Sequence, residues 1–228
     1  MSILLHIETS TPVCSCALSR DGEILVYKES FQVQSHASLL GVFVEEIMQY
    51  VRSQKFSLDA VVVSSGPGSY TGLRIGVSQA KGLSYGLNIP LIALPTHKIM
   101  ASMMKDKVEK EALLCPMIDA RRMEVYATFF DTSMHVIRAT SADIVDENSY
   151  RDLLDKHPVV FFGNGAEKCK NILTHPNARF VPDIHPLASG MVALAEKDFD
   201  EKEFVNVAYF EPFYLKEFVA TVAKNKVL

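Results

Sequence analysis

The sequence predicts an α/β protein built as two tandem lobes, each a mixed sheet with helices. Two observations predict it. One order of elements, β-β-β-α-β-α-β-α, occurs twice along the 228 residues, the second time in trimmed form. Meanders that lead into alternating helices and strands are the pattern of mixed sheets covered by helices. A glycine-rich passage, SSGPGSYTGLRIG at residues 64–76, joins a buried strand to a helix. With 48% apolar residues the chain can also fill a sizeable core.

Taken in order, Ile3 to Glu8, Val13 to Ser19 and Glu23 to Phe31 read as strands of an antiparallel meander, broken at Thr9-Ser10-Thr11-Pro12 and at the hairpin turn Arg20-Asp21-Gly22. From Ala37 to Arg52 the residues Leu40, Phe43, Val44, Ile47, Met48 and Val51 fall three and four apart, which predicts an amphipathic helix capped by Ser35 or His36. The β-branched run Asp59 to Val63 is the next strand. A helix from Gly72 to Gly86, a strand from Leu91 to Leu94 and a helix from Thr96 to about Lys110 complete the first lobe. The order then returns. Leu113 to Ile118, Glu124 to Phe130 and His135 to Arg138 are strands, Asn148 to His157 is helical, Val159 to Phe162 is a buried strand and Ala166 to Leu173 a short helix. The charged stretch Lys105 to Glu111 is the boundary, giving lobes of residues 1–108 and 109–228 with a ligand cleft between them. Pro186 to Phe199 reads as a further helix, and whether it crosses back to the first lobe is left open.

Composition excludes several classes. Lys and Arg number 23 against 27 Asp and Glu, so the net charge of -4 announces no nucleic-acid binder, and any RNA contact is local or made through a partner. Cys14, Cys16, Cys115 and Cys169 show no C-x-x-C spacing and are expected as reduced core residues. The N-terminus lacks a charged region before its apolar run, and no stretch approaches the ~20 apolar residues of a membrane span. A soluble, cytoplasmic protein without membrane attachment is the expectation.

The junction at residues 64–76 aims backbone N–H groups and the positive end of a helix dipole at one point, which suits an anion, a carboxylate or a partner backbone. It is neither G-x-x-x-x-G-K-[ST] nor G-x-G-x-x-G, and a ligand-free turn is an equal alternative. None of the seven histidines stands four residues from another, so no helical metal pair is predicted; His36 has Leu40 at that spacing. Ser69 does not sit in G-x-S-x-G, and nothing nominates a peptidase nucleophile. Glu8 and Asp119 each end an inner strand. They face one another across the cleft around Mg-nucleotide or, more simply, each is one polar residue at a strand end.

Gly72, Gly76, Ala80 and Ser84 recur at four-residue spacing as a ridge of small side chains. Two glycines inside a helix cost roughly 1 kcal/mol each relative to alanine, so the ridge packs either on its own sheet or against another helix. The helix before it carries a second apolar stripe, Leu39, Val42 and Met48, more than one buried face requires. The expectation is therefore a partner-binding helix pair that uses Leu40, Phe43, Val44 and Ile47 with Gly72, Leu73, Arg74, Gly76, Val77, Ala80 and Ser84. Arg74 would meet a carboxylate or a nucleotide phosphate. On this view Gly76→Leu leaves the lobe folded and blocks association.

Three signatures, Glu8-Thr9-Ser10-Thr11, Asp119-Ala120-Arg121-Arg122 and Gly163-Asn164-Gly165-Ala166, resemble the two phosphate hairpins and the adenosine loop of the actin and hexokinase superfamily of ATPases. That resemblance implies two ribonuclease H-like lobes in an actin-like ATPase fold. Within it, IETSTPVCSCAL at 7–18, SSGPGSYTGLRIG at 64–76 and DARRMEVYA at 119–127 are similar to the TsaB (YeaZ) family, with motifs in both lobes.

The family resemblance implies a non-catalytic scaffold or activator. Its catalytic paralogue TsaD transfers threonylcarbamoyl to the adenosine next to the anticodon of tRNA. The implied partners are TsaD in a heterodimer, TsaE docked on that heterodimer, a second copy when the chain is alone, and tRNA only through the complex. First-lobe helices would make the contact. No cofactor is expected on the isolated chain, with ATP or ADP at the partner interface near Glu8, Ser10, Ser69, Tyr70, Thr71, Asp119 and Arg121. Neither acidic strand end is followed by the glycine that would let amides approach phosphate, and the H-x-x-x-H of the catalytic paralogue is absent. Pro212-Phe213-Tyr214-Leu215-Lys216 resembles the family's terminal signature, with Lys216 in place of arginine. The competing reading is an active ATP-dependent small-molecule kinase using Glu8 and Asp119 around Mg-ATP.

Overall fold

A computed structural model of the chain describes residues 2–32 and 36–216. The first sheet contains β1 (Ile3–Glu8), β2 (Cys14–Arg20), β3 (Glu23–Ser30), β4 (Ala60–Gly66) and β5 (Leu91–Pro95). Its order is β3-β2-β1-β4-β5, with β1 antiparallel to β2 and parallel to β4. The second sheet contains β6 (Leu113–Asp119), β7 (Glu124–Phe130), β8 (Val136–Ile144), β9 (Val159–Phe162) and β10 (Ala178–Val181) in the order β10-β9-β6-β7-β8. The two orders are the same when each is counted from its own first strand. This is the duplicated, ribonuclease H-like arrangement of an actin-like fold.

The helices are α1 (His36–Ser53), α2 (Tyr70–Leu87), α3 (Thr96–Met104), α4 (Arg151–Leu154) and α5 (Val192–Asp200). The expected cap Ser35 lies outside the described residues, and His36 begins α1 with its ring bonded to the Val13 carbonyl at 3.2 Å. One face of α1 (Leu40, Val44, Ile47, Val51) and one of α2 (Val77, Ala80) close the outer core over β1, β2 and β4. Leu87 ends α2, where Asn88 takes a left-handed conformation and its N–H reaches the Ser84 and Tyr85 carbonyls. The predicted helix from Thr96 to about Lys110 stops at Met104, and the one from Asn148 to His157 shrinks to the single turn of α4.

Burial explains α3. Its Ile99 packs with Leu4, Val62 and Leu94 of the first sheet, while Met100, Ala101 and Met104 pack with Leu114, Phe130 and Phe162 of the second. A helix shared by two sheets has no solvent face to be polar. The later chain then returns to the first lobe. α5 lies on the first sheet with Ala195 beside Ile92, and Glu196 accepts hydrogen bonds from Ser2 Oγ at 2.6 Å and Gly22 N at 3.0 Å. Val205 bridges to Leu91, and Lys81 Nζ donates to the Phe210 carbonyl at 2.9 Å. The last described stretch reaches the cleft through a Phe213 N–H bond to the Ser65 carbonyl, 2.7 Å. So residues 188–213 belong in space to the lobe that sequence assigns to 1–108.

Candidate functional site

The junction after β4 is built against the loop after β1. Ser69 caps α2, its Oγ accepting the Gly72 N–H at 3.2 Å, and its own N–H bonds the Ser10 carbonyl at 2.7 Å. A Cβ on Gly68 would stand 2.3 Å from the Ser10 carbonyl oxygen, one on Gly72 2.2 Å from the Thr9 carbonyl oxygen, and one on Gly76 2.2 Å from Thr9 Oγ1. Thr9 Oγ1 also donates to the Gly72 carbonyl at 2.8 Å. These glycines thus make room for the protein's own first hairpin.

That corrects the expected partner ridge. Gly72, Leu73, Gly76, Val77, Ala80 and Ser84 are all buried within the lobe, as are Leu40, Val44 and Ile47 of α1. Phe43 is partly buried against the same core. Of the residues expected at the interface only Arg74 is exposed, with its Nη1 on the Tyr70 hydroxyl at 2.5 Å and its guanidinium over the Tyr70 ring. The expected behaviour of Gly76→Leu is overturned too, because the new side chain would run into Thr9 before it met a partner.

A different set of small residues faces outward. Ser78, Gly82 and Gly86 are exposed, and none of the described residues lies within 4 Å of a Cβ at Gly82 or Gly86. Beside them Tyr85 is 83% exposed and Leu87 45%, with Val42 of α1 at 49%. The four-residue spacing of 78, 82 and 86 is as legible as that of 72, 76 and 80. Spacing alone does not say which ridge points inward.

Between the lobes lies a cleft of about 500 Å³ lined by Ser10, Ser69, Tyr70, Thr71, Asp119 and Arg121, together with Tyr126, Asn164 and the terminal Phe213 to Lys216. Six of the seven residues expected near a nucleotide are therefore brought together. Glu8 is not among them. It is fully buried, accepts the Ser10 N–H on Oε1 at 2.5 Å, and has no hydrogen-bond partner for Oε2 among the described residues. Burial pushes its carboxyl up to about 7, partly offset by the Ser10 and Ser64 hydroxyls and nearby amides.

Asp119 is placed differently. It is exposed at the cleft wall, where Oδ1 accepts the Arg121 N–H at 3.0 Å and the Lys168 ammonium. Its own N–H bonds Asn164 Oδ1 at 3.0 Å. Gly163 and Gly165, expected as an adenosine loop, press on the same strand end: a Cβ on Gly163 would lie 2.3 Å from the Met117 carbonyl oxygen. The terminal stretch closes one side of the cleft, with Tyr214 against Tyr70 at 4.9 Å between ring centroids and Lys216 on both Glu124 oxygens at 2.6 and 2.5 Å. In the sequence this stretch carries only a terminal likeness and Asn164 only a place in the expected adenosine loop, while nothing there marks Tyr126, Lys168 or Tyr214 as site residues.

A magnesium nucleotide needs free amides at a glycine hairpin and a carboxylate that can reach the ion. Here the turns after Glu8 and Asp119 carry no glycine, Glu8 is enclosed, and Asp119 is held by Lys168. The residues present do not fit that group. Among the described residues no cluster of three or more His, Cys, Asp or Glu side chains gathers as a metal site. His6 and His97 are buried on Ser19 Oγ and Thr128 Oγ1, each at 2.7 Å, and burial lowers both to about 3, so both are neutral core residues.

The family model described as TsaD, tRNA N6-adenosine threonylcarbamoyltransferase, matches residues 30–224. The chain is 28% identical to the tRNA threonylcarbamoyladenosine biosynthesis protein TsaB of Haemophilus influenzae over 93% of each chain. It is 29% identical to TsaB of Escherichia coli, covering 95% of this chain and 96% of that one. The solved structure of YeaZ from Pseudomonas aeruginosa superposes with a TM-score of 0.75 at 25% identity, over 94% of this chain and all of the other, 100%. With that match spanning both lobes, the chain belongs to the TsaD family and lies within it beside TsaB (YeaZ).

Proposed function

We propose that this chain is a non-catalytic subunit of the cytoplasmic machinery that forms threonylcarbamoyladenosine on tRNA, and that it dimerises with a TsaD-type catalytic subunit. The observation that carries the reading is the enclosure of Glu8: the first-strand carboxylate that a metal-nucleotide would need is fully buried and accepts the Ser10 N–H, and the turns after Glu8 and Asp119 carry no glycine. The names of the TsaB relatives and of the TsaD family supply the pathway. An active kinase built on Glu8 and Asp119 is disfavoured by the enclosure of Glu8.

The contact surface in this reading is the outward side of α1 and α2. Val42 on α1 and Ser78, Gly82, Tyr85 and Gly86 on α2 are exposed, and the small residues of α2 form a groove that lets a partner helix approach closely around a tyrosine anchor. A second copy takes the same face when the catalytic subunit is absent. TsaE docks on the heterodimer, tRNA is reached only through the complex, and a nucleotide is held at the partner interface and not by the isolated chain.

Light scattering after size exclusion, with TsaD from the same source, tests this. The wild-type chain is expected to form a one-to-one complex and Gly82→Arg to lose it while keeping the wild-type circular dichroism. An unaltered heterodimer with Gly82→Arg would remove α2 from the interface. Calorimetric titration of the isolated chain with Mg-ATP is expected to show no binding, and turnover there would restore the kinase reading.

A further inference from the structure

Lys168 sits in the 3₁₀ turn Glu167–Cys169, and its ammonium donates to the Asp119 carboxylate, to the Arg122 carbonyl at 2.8 Å and to the Glu124 carbonyl at 2.7 Å. One carboxylate and two carbonyls converging on a point are the oxygen set that a hard divalent cation takes. An ammonium has three N–H donors, and here each has one of those oxygens. The seat is also fixed from behind. The Asp119 N–H is held by Asn164 Oδ1, its carboxylate also accepts the Arg121 N–H, and the Lys168 side chain is only 23% exposed.

We propose that Lys168 is a built-in cation that occupies a divalent-metal seat at the end of β6, so that the cleft excludes magnesium. A divalent ion bonded to the same oxygens would have to stand where the ammonium stands, and two cations in one seat repel. The lysine would have to leave first, abandoning three hydrogen bonds. The arrangement lies wholly within this chain.

Manganese is the probe, added to the purified full-length chain and followed by paramagnetic broadening of amide signals and by electron paramagnetic resonance. In the wild type the signals of residues 119–124 stay sharp at submillimolar manganese. Lys168→Ala is expected to gain affinity by at least about tenfold, since it frees three oxygen ligands, and the Lys168→Ala/Asp119→Asn double variant to lose that gain. Broadening at residues 119–124 in the wild type that Asp119→Asn abolishes overturns the proposal. So does a folded Lys168→Ala that binds manganese no better than wild type. Should Lys168→Ala not fold, the wild-type spectrum alone decides: sharp signals uphold the built-in cation and site-specific broadening refutes it.

Discussion

The ends of β1 and β6 occupy the same position in the two sheets, and glycines after the parallel neighbour press on both. After β4, a Cβ on Gly68 would meet the Ser10 carbonyl at 2.3 Å; after β9, one on Gly163 would meet the Met117 carbonyl at 2.3 Å. The carboxylates at these ends nonetheless differ. Glu8 is sealed beneath its own hairpin and raised to about 7, whereas Asp119 opens to the cleft and is matched by Lys168. The close glycine contacts belong to the fold, since strand end and loop must pack in either lobe. The charge state belongs to the surroundings, which the two lobes build differently.

The hardest test of the first half of that comparison is Gly76→Leu. Overpacking against Thr9 is expected to destabilise the chain by about 3 kcal/mol, a fall in Tm of about 6–12 °C for a protein of this size. Thermal unfolding by circular dichroism measures it. A Tm within a degree of wild type would mean that the Thr9 hairpin yields freely and that the junction is not packed as described.

Titration tests the enclosed carboxylate next. Folded Glu8 holds its proton up to about pH 7, while an unfolded glutamate loses it near about 4.3. Between those values the folded state binds the extra proton, so this contribution falls as pH rises. His6 and His97 act in the opposite sense. Their folded values of about 3 lie below the unfolded value of about 6.5, so their contribution is complete above that pH and is lost as pH falls. From about pH 6.5 down to about 4.5 the histidines outweigh Glu8 by one proton, and stability declines by about 1.4 kcal/mol per pH unit on that account. Glu8→Gln is expected to steepen the decline to about 2.7 kcal/mol per pH unit. Urea unfolding at stepped pH reads the slope, and an unchanged slope would place Glu8 in water.

The fold was largely legible because periodicity and turn residues mark it: the meander, the buried β4 run and the repeated order need no tertiary information. β10 was missed because Ala178–Val181 is four residues with no alternation to distinguish it. α4 was overextended because the apolar spacing in 148–157 persists where the chain turns. In the site, Lys168 was invisible because its carboxylate partner lies 49 positions away. The ridge was misdirected because α2 carries small residues on two faces, and only contact tells 76 from 82. Gly82→Ala sharpens that distinction. With no described atom within 4 Å of its Cβ in a single chain, it is expected to stabilise the monomer by up to about 0.8 kcal/mol through helix propensity, measured by urea unfolding at a dilution that dissociates any homodimer. A loss in the free chain would show that this face is already covered.

The smallest effect is expected where the lobes are tied by charge. Lys216 reaches from the terminal stretch to Glu124, but its side chain is half exposed and water screens the pair. The stretch is held independently by the Phe213 N–H bond to the Ser65 carbonyl and by Tyr214 against Tyr70. Lys216→Ala should therefore cost no more than about 0.5 kcal/mol. Tyr214→Ala, which removes a ring contact worth about 0.5–1.5 kcal/mol beyond its buried area, should cost more. Paired urea titrations of the two variants compare them directly. If Lys216→Ala proved the more damaging, the ion pair to the second lobe and not the aromatic contact on the first would hold the stretch in place, and the wall around Asp119 and Glu124 would depend on two lysines, Lys168 and Lys216.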